Sequence, residues 1–428
     1  MDMEIIGGNR ALRGEIRVPG DKSISHRSII LGSIAEGRTE IYNFLNSEDT
    51  IATIDCFRKM GVSIEVEDDK VVVEGRGLKG LNSPDSILAC KNSGTTMRLM
   101  SGILVGQDFS TTLVGDDSLN NRPMNRIITP LRKMGGNIEG LDNEYPPLKI
   151  SPVQKLNSIY YEMPVASAQV KSAILLASLF ADGKTIVKEK ALSRDHTERM
   201  LKTFGVDIYK SNELIYLNPP SELRGRNLYI PGDFSSASFF IVAALILEGS
   251  EIVIKDVGLN ETRIGLIDIL KKMGGNIEIS NVNTLNNEPV GDVLVKYSKL
   301  KGIDIKGDEI GTFIDEVPIL AVASAFAEGT TAIRNASELK YKESDRIKVM
   351  TNEMRKMGVA IEELKDGMII QGNSSLKPAK LESHNDHRIA MALSIAALKA
   401  NGTSYLSNHE CINISFPTFF DILLENIV

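Results

Sequence analysis

A run of nine residues near the start of the chain, PGDKSISHR, carries the side chains best suited to binding an anion. Lys22, Ser23 and Arg27 follow a glycine that lets the backbone turn tightly, and the apolar run 29–34 predicts a helix behind them. The run is not a Walker A loop, because Asp21 stands where GxxxxGK[ST] requires a second glycine. It predicts either a phosphate site or a capped helix start with Arg27 in solvent.

Polar side chains recur further along the chain, at predicted starts of apolar helices and in loops beside them. There they either cap the helix or offer hydrogen bonds and charge to an anionic or hydroxylated ligand. Two histidines three residues apart, with an acid between them, suggest a metal, but the sequence clusters no third ligand with them. The residues concerned are Asn92, Gly94, Arg98, Arg122, Ser167, Gln169, Ser193, Asp233, Asp315, Lys342, Glu343, Arg346, His384, Asp386, His387 and Arg388.

The carboxylates in the second half have two possible roles. Asp315 lies at the head of a predicted helix that is almost entirely apolar through Phe326, where it either stabilises the helix dipole or, partly dehydrated, acts as a base toward a hydroxyl. Lys342, Glu343 and Arg346 are predicted to share one helical turn. Such a triplet is most often a surface ion-pair turn, and the alternative is an acid held beside cations for chemistry.

Composition disfavours several classes of protein. The net charge of −7 argues against a broad nucleic-acid-binding face, and 428 residues suffice for two domains. The three cysteines show no CxxC spacing, which fits reduced thiols in the cytoplasm. The start of the chain has no apolar signal core, and runs such as 389–398 are shorter than the roughly 18 residues that a membrane span needs. We therefore expect no export and no membrane partner.

Two recurring markers predict a repeat architecture. The first runs from a helix end through a glycine into a strand, and its glycines lie 66 to 80 residues apart. The second, as in LKKMGGNIEI, ends a helix at a glycine suited to the left-handed conformation and enters a half-buried strand. The glycines of the first marker are Gly37, Gly106, Gly183, Gly249, Gly329 and Gly402, and the second marker begins at Phe57, Leu131, Leu201, Leu270 and Met354.

Six repeats indicate two domains of three units each, with the division near residues 231 and 232. The strand-like N-terminal runs MEII and EIRV have no helix before them, so we expect the first twenty residues to complete the last unit. One predicted domain is therefore 1–20 plus 232–428, and the other is 21–231, joined by two hinge strands. If the helix starts of both domains face one cleft, their dipoles and arginines suit a small ligand with several anionic groups.

Motifs spread over nearly the whole chain resemble one known family. They are GDKSISHR, NSGTTMR, NRPM, ASAQVKS, PGDFSSAS, KESDR, NDHRIAMA and SFP. The chain resembles the 3-phosphoshikimate 1-carboxyvinyltransferases, or 5-enolpyruvylshikimate-3-phosphate (EPSP) synthases. The resemblance implies an α+β (mixed α/β) fold of two domains, each with three βαβαββ units around a pseudo-threefold axis, helices inside and sheets outside. It implies a monomeric cytoplasmic enzyme of aromatic amino-acid biosynthesis.

The resemblance also implies the reaction, which transfers the enolpyruvyl group of phosphoenolpyruvate to the 5-hydroxyl of shikimate 3-phosphate and releases phosphate. Asp315 would take the proton of the hydroxyl, Glu343 would protonate the methylene carbon, and Lys22 would contact both substrates; no metal or organic cofactor is implied. The residues implied for shikimate 3-phosphate are Lys22, Ser23, Arg27, Ser167, Gln169, Ser193, Asp315 and Lys342. Those implied for phosphoenolpyruvate are Lys22, Asn92, Gly94, Arg122, Gln169, Arg346 and Arg388.

The chain departs from the commonest family pattern at two positions, since Ala168 replaces a second serine and Ile414 replaces a lysine. An alternative is the related transferase that acts on UDP-N-acetylglucosamine, which usually has a cysteine where this chain has Asp117. A second alternative is a non-catalytic or nucleic-acid-binding repeat protein, which the net charge disfavours. Gly94 leaves room beside the implied phosphoenolpyruvate pocket, so we expect glyphosate, which resembles that substrate, to inhibit.

Overall fold

The computed structural model describes residues 2–8, 10–67, 70–373 and 375–428, without the side chain of residue 308. The chain forms two compact units. Unit 1 comprises Met1–Pro19, Pro231–Asn283 and Pro289–Val428, and unit 2 comprises Gly20–Ile230 and Thr284–Glu288. The boundaries predicted from the repeats each lie one residue later, and they did not separate the short segment 284–288.

The chain begins with two strands of unit 1, β1 (Met3–Ile6) and β2 (Arg13–Arg17). Unit 2 follows with α1 (Lys22–Ile34), β3 (Glu36–Tyr42), α2 (Glu48–Lys59), β4 (Ser63–Val66), β5 (Lys70–Arg76), β6 (Leu88–Ala89), α3 (Gly94–Leu104), β7 (Thr111–Val114), α4 (Asp117–Asn120), α5 (Asn125–Lys133), β8 (Asn137–Leu141), β9 (Tyr145–Ser151), β10 (Tyr160–Glu162), α6 (Ala168–Ser178), β11 (Thr185–Lys188), α7 (His196–Thr203), β12 (Asp207–Ser211), β13 (Leu214–Asn218) and β14 (Asn227–Tyr229).

The rest of the chain contains α8 (Phe234–Ile246), β15 (Glu251–Gly258), α9 (Gly265–Lys272), β16 (Asn276–Leu285), β17 (Glu288–Lys296), β18 (Asp304–Ile305), α10 (Val317–Ala325), β19 (Thr330–Ile333), α11 (Arg346–Lys356), β20 (Ile361–Leu364), β21 (Gly367–Gln371), β22 (Lys380–Glu382), α12 (His387–Lys399), β23 (Thr403–Ser407) and α13 (Phe419–Asn426). Its 3₁₀ helices are Asp308–Thr312, Ile314–Glu316, Ser337–Tyr341 and His409–Ile414.

Each repeat contributes one small sheet of constant topology. The sheets of unit 2 have the orders β14-β3-β5-β4, β6-β7-β9-β8 and β10-β11-β13-β12, and those of unit 1 have the orders β2-β15-β17-β16, β18-β19-β21-β20 and β22-β23-β1. In every one of these sheets the first two strands pair in parallel and the second and third pair antiparallel. The repeat architecture predicted from the glycine markers is confirmed.

The two N-terminal strands join different sheets. β1 pairs antiparallel with β23 and so completes the sheet of the last repeat, as predicted. β2 instead pairs in parallel with β15, in the sheet of the first repeat after residue 231, so the prediction for the run EIRV was wrong. Both runs have the length and alternation of a half-buried strand, and a local pattern does not determine which distant partner a strand pairs with.

The glycines of the second marker end their helices for the predicted reason. Each takes a positive φ between 83° and 95°, the left-handed region in which a Cβ atom is strained. A new strand, β4, β8, β12, β16 or β20, begins two or three residues later. The glycines are Gly61, Gly135, Gly205, Gly274 and Gly358.

One long apolar helix per repeat fills the interior of each unit. In unit 2, α3 packs against both α1 and α6, and in unit 1, α8, α10 and α12 pack against one another. The approach of α3 to α6 is close, since a Cβ atom on Gly102 would lie 2.3 Å from the carbonyl oxygen of Ala173. These helices are buried on nearly all sides, whereas the strands alternate between buried and exposed residues. No helix in the described part of the chain is long and apolar enough to cross a membrane.

Candidate functional site

The start of α1 is a capped helix end that also holds two cations. The Asp21 side chain accepts a hydrogen bond from the backbone N–H of Ile24 at 2.9 Å. Lys22, the first residue of the helix, places its Nζ 2.5 Å from Oδ2 of Asp49 on α2, and 19% of its side chain remains exposed. The helix dipole and the ammonium group thus lie beside two carboxylates at this end of α1.

Arg27 is buried one turn further along α1, so the prediction that leaves it in solvent is wrong. Its Nε donates to Oγ1 of Thr197 at 2.6 Å, its Nη1 to the carbonyl oxygen of Ser23 at 2.8 Å, and its Nη2 to Oγ of Ser172 at 2.8 Å. Burial lowers the pKa of Arg27 to about 10, and Glu198 opposes that shift. The guanidinium thus stays charged at neutral pH and links α1 to α6 and α7.

His26 begins a chain of hydrogen bonds that joins three helices. Its Nδ1 lies 2.7 Å from Oγ1 of Thr53, which lies 2.7 Å from Oγ1 of Thr96, and Thr96 donates to Oγ of Ser93, the cap of α3. Burial, with the charges of Lys22 and Arg27, lowers the pKa of His26 well below 6.5. The imidazole is therefore neutral, and among the described residues its Nε2 has no hydrogen-bond partner.

The starts of α3 and α6 share a second group of polar side chains. Arg98 Nη1 donates to Oε1 of Gln169 at 2.7 Å, and Gln169 Nε2 donates to Oγ1 of Thr95 at 3.1 Å. Arg122 Nη2 donates to Oδ1 of Asn92 at 2.7 Å. A Cβ atom on Gly94 would lie 2.6 Å from Nη1 of Arg98 and 3.6 Å from Nη1 of Arg122, so this glycine faces both guanidiniums.

A buried ion pair holds the loop that carries Ser193. Lys171 Nζ lies 2.8 Å from Oε1 of Glu189 and 2.7 Å from Oε1 of Glu198, and it donates to the carbonyl oxygen of Ser193 at 3.2 Å. Ser193 Oγ donates to the same Glu189 oxygen at 2.8 Å. Burial alone would lower the pKa of Lys171, but the two carboxylates raise it above its usual value. Ser167 caps α6, with its Oγ 3.4 Å from the N–H of Val170.

Unit 2 therefore gathers its predicted site residues at the starts of α1, α3 and α6. Hydrogen bonds from Arg27 to Ser172, from Arg98 to Gln169 and from Gln169 to Thr95 connect these helix starts directly. The predicted residues brought together here are Lys22, Ser23, Arg27, Asn92, Gly94, Arg122, Ser167, Gln169 and Ser193. The arrangement presents cations, hydroxyls and amide groups suited to a phosphorylated, hydroxylated ligand.

In unit 1, Arg346 lies at the centre of a cluster of carboxylates. Its Nε donates to Oδ2 of Asp386 at 2.8 Å, its Nη1 to Oδ1 of Asp315 at 3.3 Å, and its Nη2 to Oε2 of Glu343 at 2.6 Å. The guanidinium is buried, and Asp386, Glu343 and Asp315 outweigh the effect of burial and raise its pKa above the usual value. A single cation therefore holds both carboxylates that the sequence marked as acid and base.

Lys342 lies on the other side of Asp315, with its Nζ 3.1 Å from Oδ1 of that carboxylate. The prediction that Lys342, Glu343 and Arg346 share one helical turn was wrong: α11 begins at Arg346, and Lys342 follows the 3₁₀ helix Ser337–Tyr341 in extended backbone. Lys342 and Glu343 therefore precede the helix, and their side chains are not held at helical spacing. They therefore reach Asp315 and Arg346 from outside the helix.

Arg388, the second residue of α12, reaches the same cluster. Its Nη1 donates to the carbonyl oxygen of Asp315 and to Oε1 of Glu316, both at 3.3 Å. The residue before it, His387, is buried, and the preceding Asp386 caps α12 by accepting from the N–H of Arg388 at 3.0 Å. Unit 1 thus joins Asp315, Lys342, Glu343, Arg346 and Arg388.

Several partners of these groups were not predicted as site residues. Each is an ordinary polar residue at a helix start or on a neighbouring helix, and no sequence feature other than proximity to a motif distinguishes it. Asp386 was noted only as a metal candidate. The partners are Asp49, Ser172, Thr197, Ser235, Glu316 and Asp386.

The residues that suggested a metal have other partners. The His384 imidazole lies 3.5 Å from Glu353, and Asp386 binds Arg346. Within the described ranges, no group of three or more His, Cys, Asp or Glu side chains is arranged to hold a metal ion. At the two positions that depart from the family pattern, Ala168 begins α6 and Ile414 ends a 3₁₀ helix without contributing charge.

Comparison with known proteins identifies relatives over nearly the whole chain. The family model described as EPSP synthase (3-phosphoshikimate 1-carboxyvinyltransferase) matches residues 6–423. The 3-phosphoshikimate 1-carboxyvinyltransferase of Thermoanaerobacter sp. (strain X514) is 53% identical over 420 residues, which are 98% of this chain and 99% of that protein. The protein of the same name from Petrotoga mobilis is 53% identical over 415 residues, 96% of each chain.

Solved structures share the same fold. An EPSP synthase from Acinetobacter baumannii superposes with a TM-score of 0.90 at 45% sequence identity and covers 99% of this chain and 98% of that one. The enolpyruvyl transferase NikO from Streptomyces tendae superposes with a TM-score of 0.80 over 100% of this chain and 98% of that one. Its sequence identity is 19%, so this second likeness concerns the fold alone.

Proposed function

The chain belongs to the EPSP synthase (3-phosphoshikimate 1-carboxyvinyltransferase) family, and we propose from this membership how its own residues carry out the transfer. The enzyme transfers the enolpyruvyl group of phosphoenolpyruvate to the 5-hydroxyl of shikimate 3-phosphate and releases phosphate. The oxygen of the hydroxyl attacks C2 of phosphoenolpyruvate while a proton is added to C3. The C2–O bond to phosphate then breaks and C3 returns a proton to the carboxylate that supplied it, so the C2=C3 double bond is restored, now as the enol ether of the product.

The observation that carries the assignment of roles is the cluster around Arg346. One buried guanidinium binds Asp315 at 3.3 Å and Glu343 at 2.6 Å, so two carboxylates lie within reach of one ligand. Addition of a hydroxyl to the enol phosphate needs a base at the attacking hydroxyl and an acid at the methylene carbon at the same time. Asp315 takes the hydroxyl proton and Glu343 supplies the proton to C3. Lys342 places its ammonium nitrogen 3.1 Å from Asp315, so a cation lies beside the proposed base.

Arginine and lysine side chains are needed to bind the phosphate and carboxylate groups of the two substrates. For phosphoenolpyruvate the proposed ligands are Asn92, Gly94, Arg122, Gln169, Arg346 and Arg388. For shikimate 3-phosphate the proposed ligands are Ser23, Arg27, Ser167, Gln169, Ser193, Asp315 and Lys342, and Lys22 contacts both substrates. Guanidinium and ammonium groups stabilise the phosphate as it leaves, and the neutral hydroxyls and amides orient the sugar-like ring.

Phosphate release tests the proposal directly. The purified protein is incubated with phosphoenolpyruvate alone, with shikimate 3-phosphate added, or with UDP-N-acetylglucosamine added, and inorganic phosphate is measured over time. We expect release that depends on shikimate 3-phosphate and is absent with the amino-sugar nucleotide. Release that is independent of shikimate 3-phosphate would contradict the assignment, and release with UDP-N-acetylglucosamine would support the alternative transferase.

The oligomeric state and the cellular location of the protein are a second part of the proposal. We propose that it acts as a monomer and that it is located in the cytoplasm; the three free cysteines, of which Cys56 and Cys90 are buried, fit a reducing compartment. Light scattering coupled to size-exclusion chromatography checks the first point. A mass near the sequence value of 46.9 kDa is expected, and twice that value would contradict it.

A further inference from the structure

Glu316, the neighbour of Asp315, is a buried carboxylate outside the proposed acid–base pair. Its residue exposure is 1%, and it ends the 3₁₀ helix that also carries Asp315. Placing an ionised carboxylate in the interior is unfavourable unless cations and donors compensate it. The next residues, 317–325, form a buried helix that is apolar except for Ser324, so packing gives no reason for a charge here.

The groups that compensate the charge of Glu316 contact only one of its two carboxylate oxygens. Oε1 of Glu316 accepts a hydrogen bond from Oγ of Ser235 and another from Nη1 of Arg388 at 3.3 Å. The other oxygen, Oε2, is buried and has no hydrogen-bond partner among the described residues. Ser235 is held in turn, because Nη2 of Arg263 donates to its Oγ at 2.6 Å. A chain of contacts thus runs from Arg263 through Ser235 and Glu316 to Arg388.

Arg388 is bound at one end of its guanidinium. Nη1 is occupied by Glu316 and by the carbonyl oxygen of Asp315, whereas Nε and Nη2 make no hydrogen bond to any residue that the structure describes. The side chain keeps 14% of its surface exposed. Arg346 differs, since its three nitrogens all donate to carboxylates. Arg388 therefore has two donors in the fork geometry that matches a carboxylate or phosphate.

We propose that Glu316 is a positioning residue that holds the Arg388 guanidinium so that Nε and Nη2 face the anionic groups of phosphoenolpyruvate. The inference rests on the proposed function, because it takes Arg388 as a ligand of that substrate. Without the carboxylate, the long arginine side chain would have to be ordered by the substrate itself. That ordering weakens binding of phosphoenolpyruvate but does not alter the proton transfers.

The test is steady-state kinetics of the Glu316→Gln variant, which keeps the size of the side chain and removes its charge. We expect the KM for phosphoenolpyruvate to rise about tenfold or more, the scale of one lost charge-assisted hydrogen bond. The kcat is expected to stay within about twofold, because no group that exchanges a proton with substrate is changed. The KM for shikimate 3-phosphate should not change.

Three further variants separate positioning from a structural role. Glu353→Gln makes the same change at a buried carboxylate paired with Lys356, and its KM values are expected to equal those of the wild type. Ser235→Ala keeps the charge of Glu316, so it tests the same role if Glu316→Gln does not fold. It should raise the KM for phosphoenolpyruvate by a smaller factor. In an Arg388→Ala background, Glu316→Gln is expected to have no further effect on that KM.

The outcomes distinguish this inference from the proposed function. If the wild type shows no phosphate release dependent on shikimate 3-phosphate, the proposed function fails. If the wild type is active but Glu316→Gln and Ser235→Ala leave the KM for phosphoenolpyruvate unchanged, only the positioning role is overturned. A lowered kcat and thermal midpoint at constant KM, or additive effects with Arg388→Ala, would likewise overturn it and indicate a structural carboxylate.

Discussion

Replacing His26 with asparagine is expected to remove part of the acid sensitivity of folding. The imidazole is completely buried, and that burial, with Lys22 and Arg27 nearby, keeps its pKa well below 6.5 in the folded protein. In the unfolded chain the ring is protonated below about pH 6.5. The unfolded state then binds the additional proton, so the free energy of unfolding falls as the pH falls through 6.5.

The size of the effect follows from the unfolded pKa. A ring that stays neutral in the folded state costs almost no stability at pH 7.5 and about 1 kcal/mol at pH 5.5. Between these pH values, the free energy of unfolding of His26→Asn should therefore fall by about 1 kcal/mol less than that of the wild type. At pH 7.5 the variant should itself be less stable by about 1 to 3 kcal/mol, because it leaves a cavity and removes the hydrogen bond to Thr53.

Urea unfolding followed by far-ultraviolet circular dichroism at pH 7.5 and 5.5 measures the difference. Thr53→Val is the matched control, since it removes the same hydrogen bond but keeps the imidazole. It should be less stable at both pH values and lose as much between them as the wild type does. If His26→Asn also loses as much as the wild type, the buried ring is not neutral and our reasoning from burial is refuted.

The remaining predictions concern charge and space in the two units. Asp315→Ala and Glu343→Gln are each expected to lower the rate of phosphate release by about two orders of magnitude or more, the scale of lost acid–base catalysis. Gly94→Ala is expected to keep turnover but lose inhibition by glyphosate, because its methyl group would lie 2.6 Å from a guanidinium nitrogen on α3; dose–response curves measure this. Lys171→Met is expected to lower the free energy of unfolding by about 3 to 5 kcal/mol, because the buried Glu198 loses its cation and Glu189 keeps only Lys210; adding Glu198→Gln should restore part of that loss in urea unfolding.

Each of these predictions has a result that contradicts it. Near-wild-type release in both carboxylate variants would remove the proposed acid and base. Unchanged inhibition of an active Gly94→Ala enzyme would show that the space beside this residue is not what admits glyphosate. A fully stable Lys171→Met variant would mean that the carboxylates of its ion pair are protonated or hydrated without it.

The repeat organisation could be read from the sequence because its signals are local. A glycine at a helix end, such as Gly274 with a φ of 95°, ends the helix through its own backbone conformation, and the alternating residues after it indicate the next strand. Both signals depend on neighbouring residues only. The apolar helices of each repeat were likewise evident from contiguous residues. The same locality identified the residues at helix starts, since a motif such as NDHR shows that a cap and a cation follow one another.

Which groups those residues contact was decided by tertiary structure alone. Arg27 takes its partners from residues 172 and 197, and Arg346 takes carboxylates from 315 and 386 besides its close neighbour Glu343, and no spacing rule connects these distant positions. For the same reason the pairing of β2 with β15 was missed. Hydrogen bonds and ion pairs act over a few ångströms in space. The packing of distant helices therefore determines whether Glu316 is a surface acid or the buried partner of Arg388.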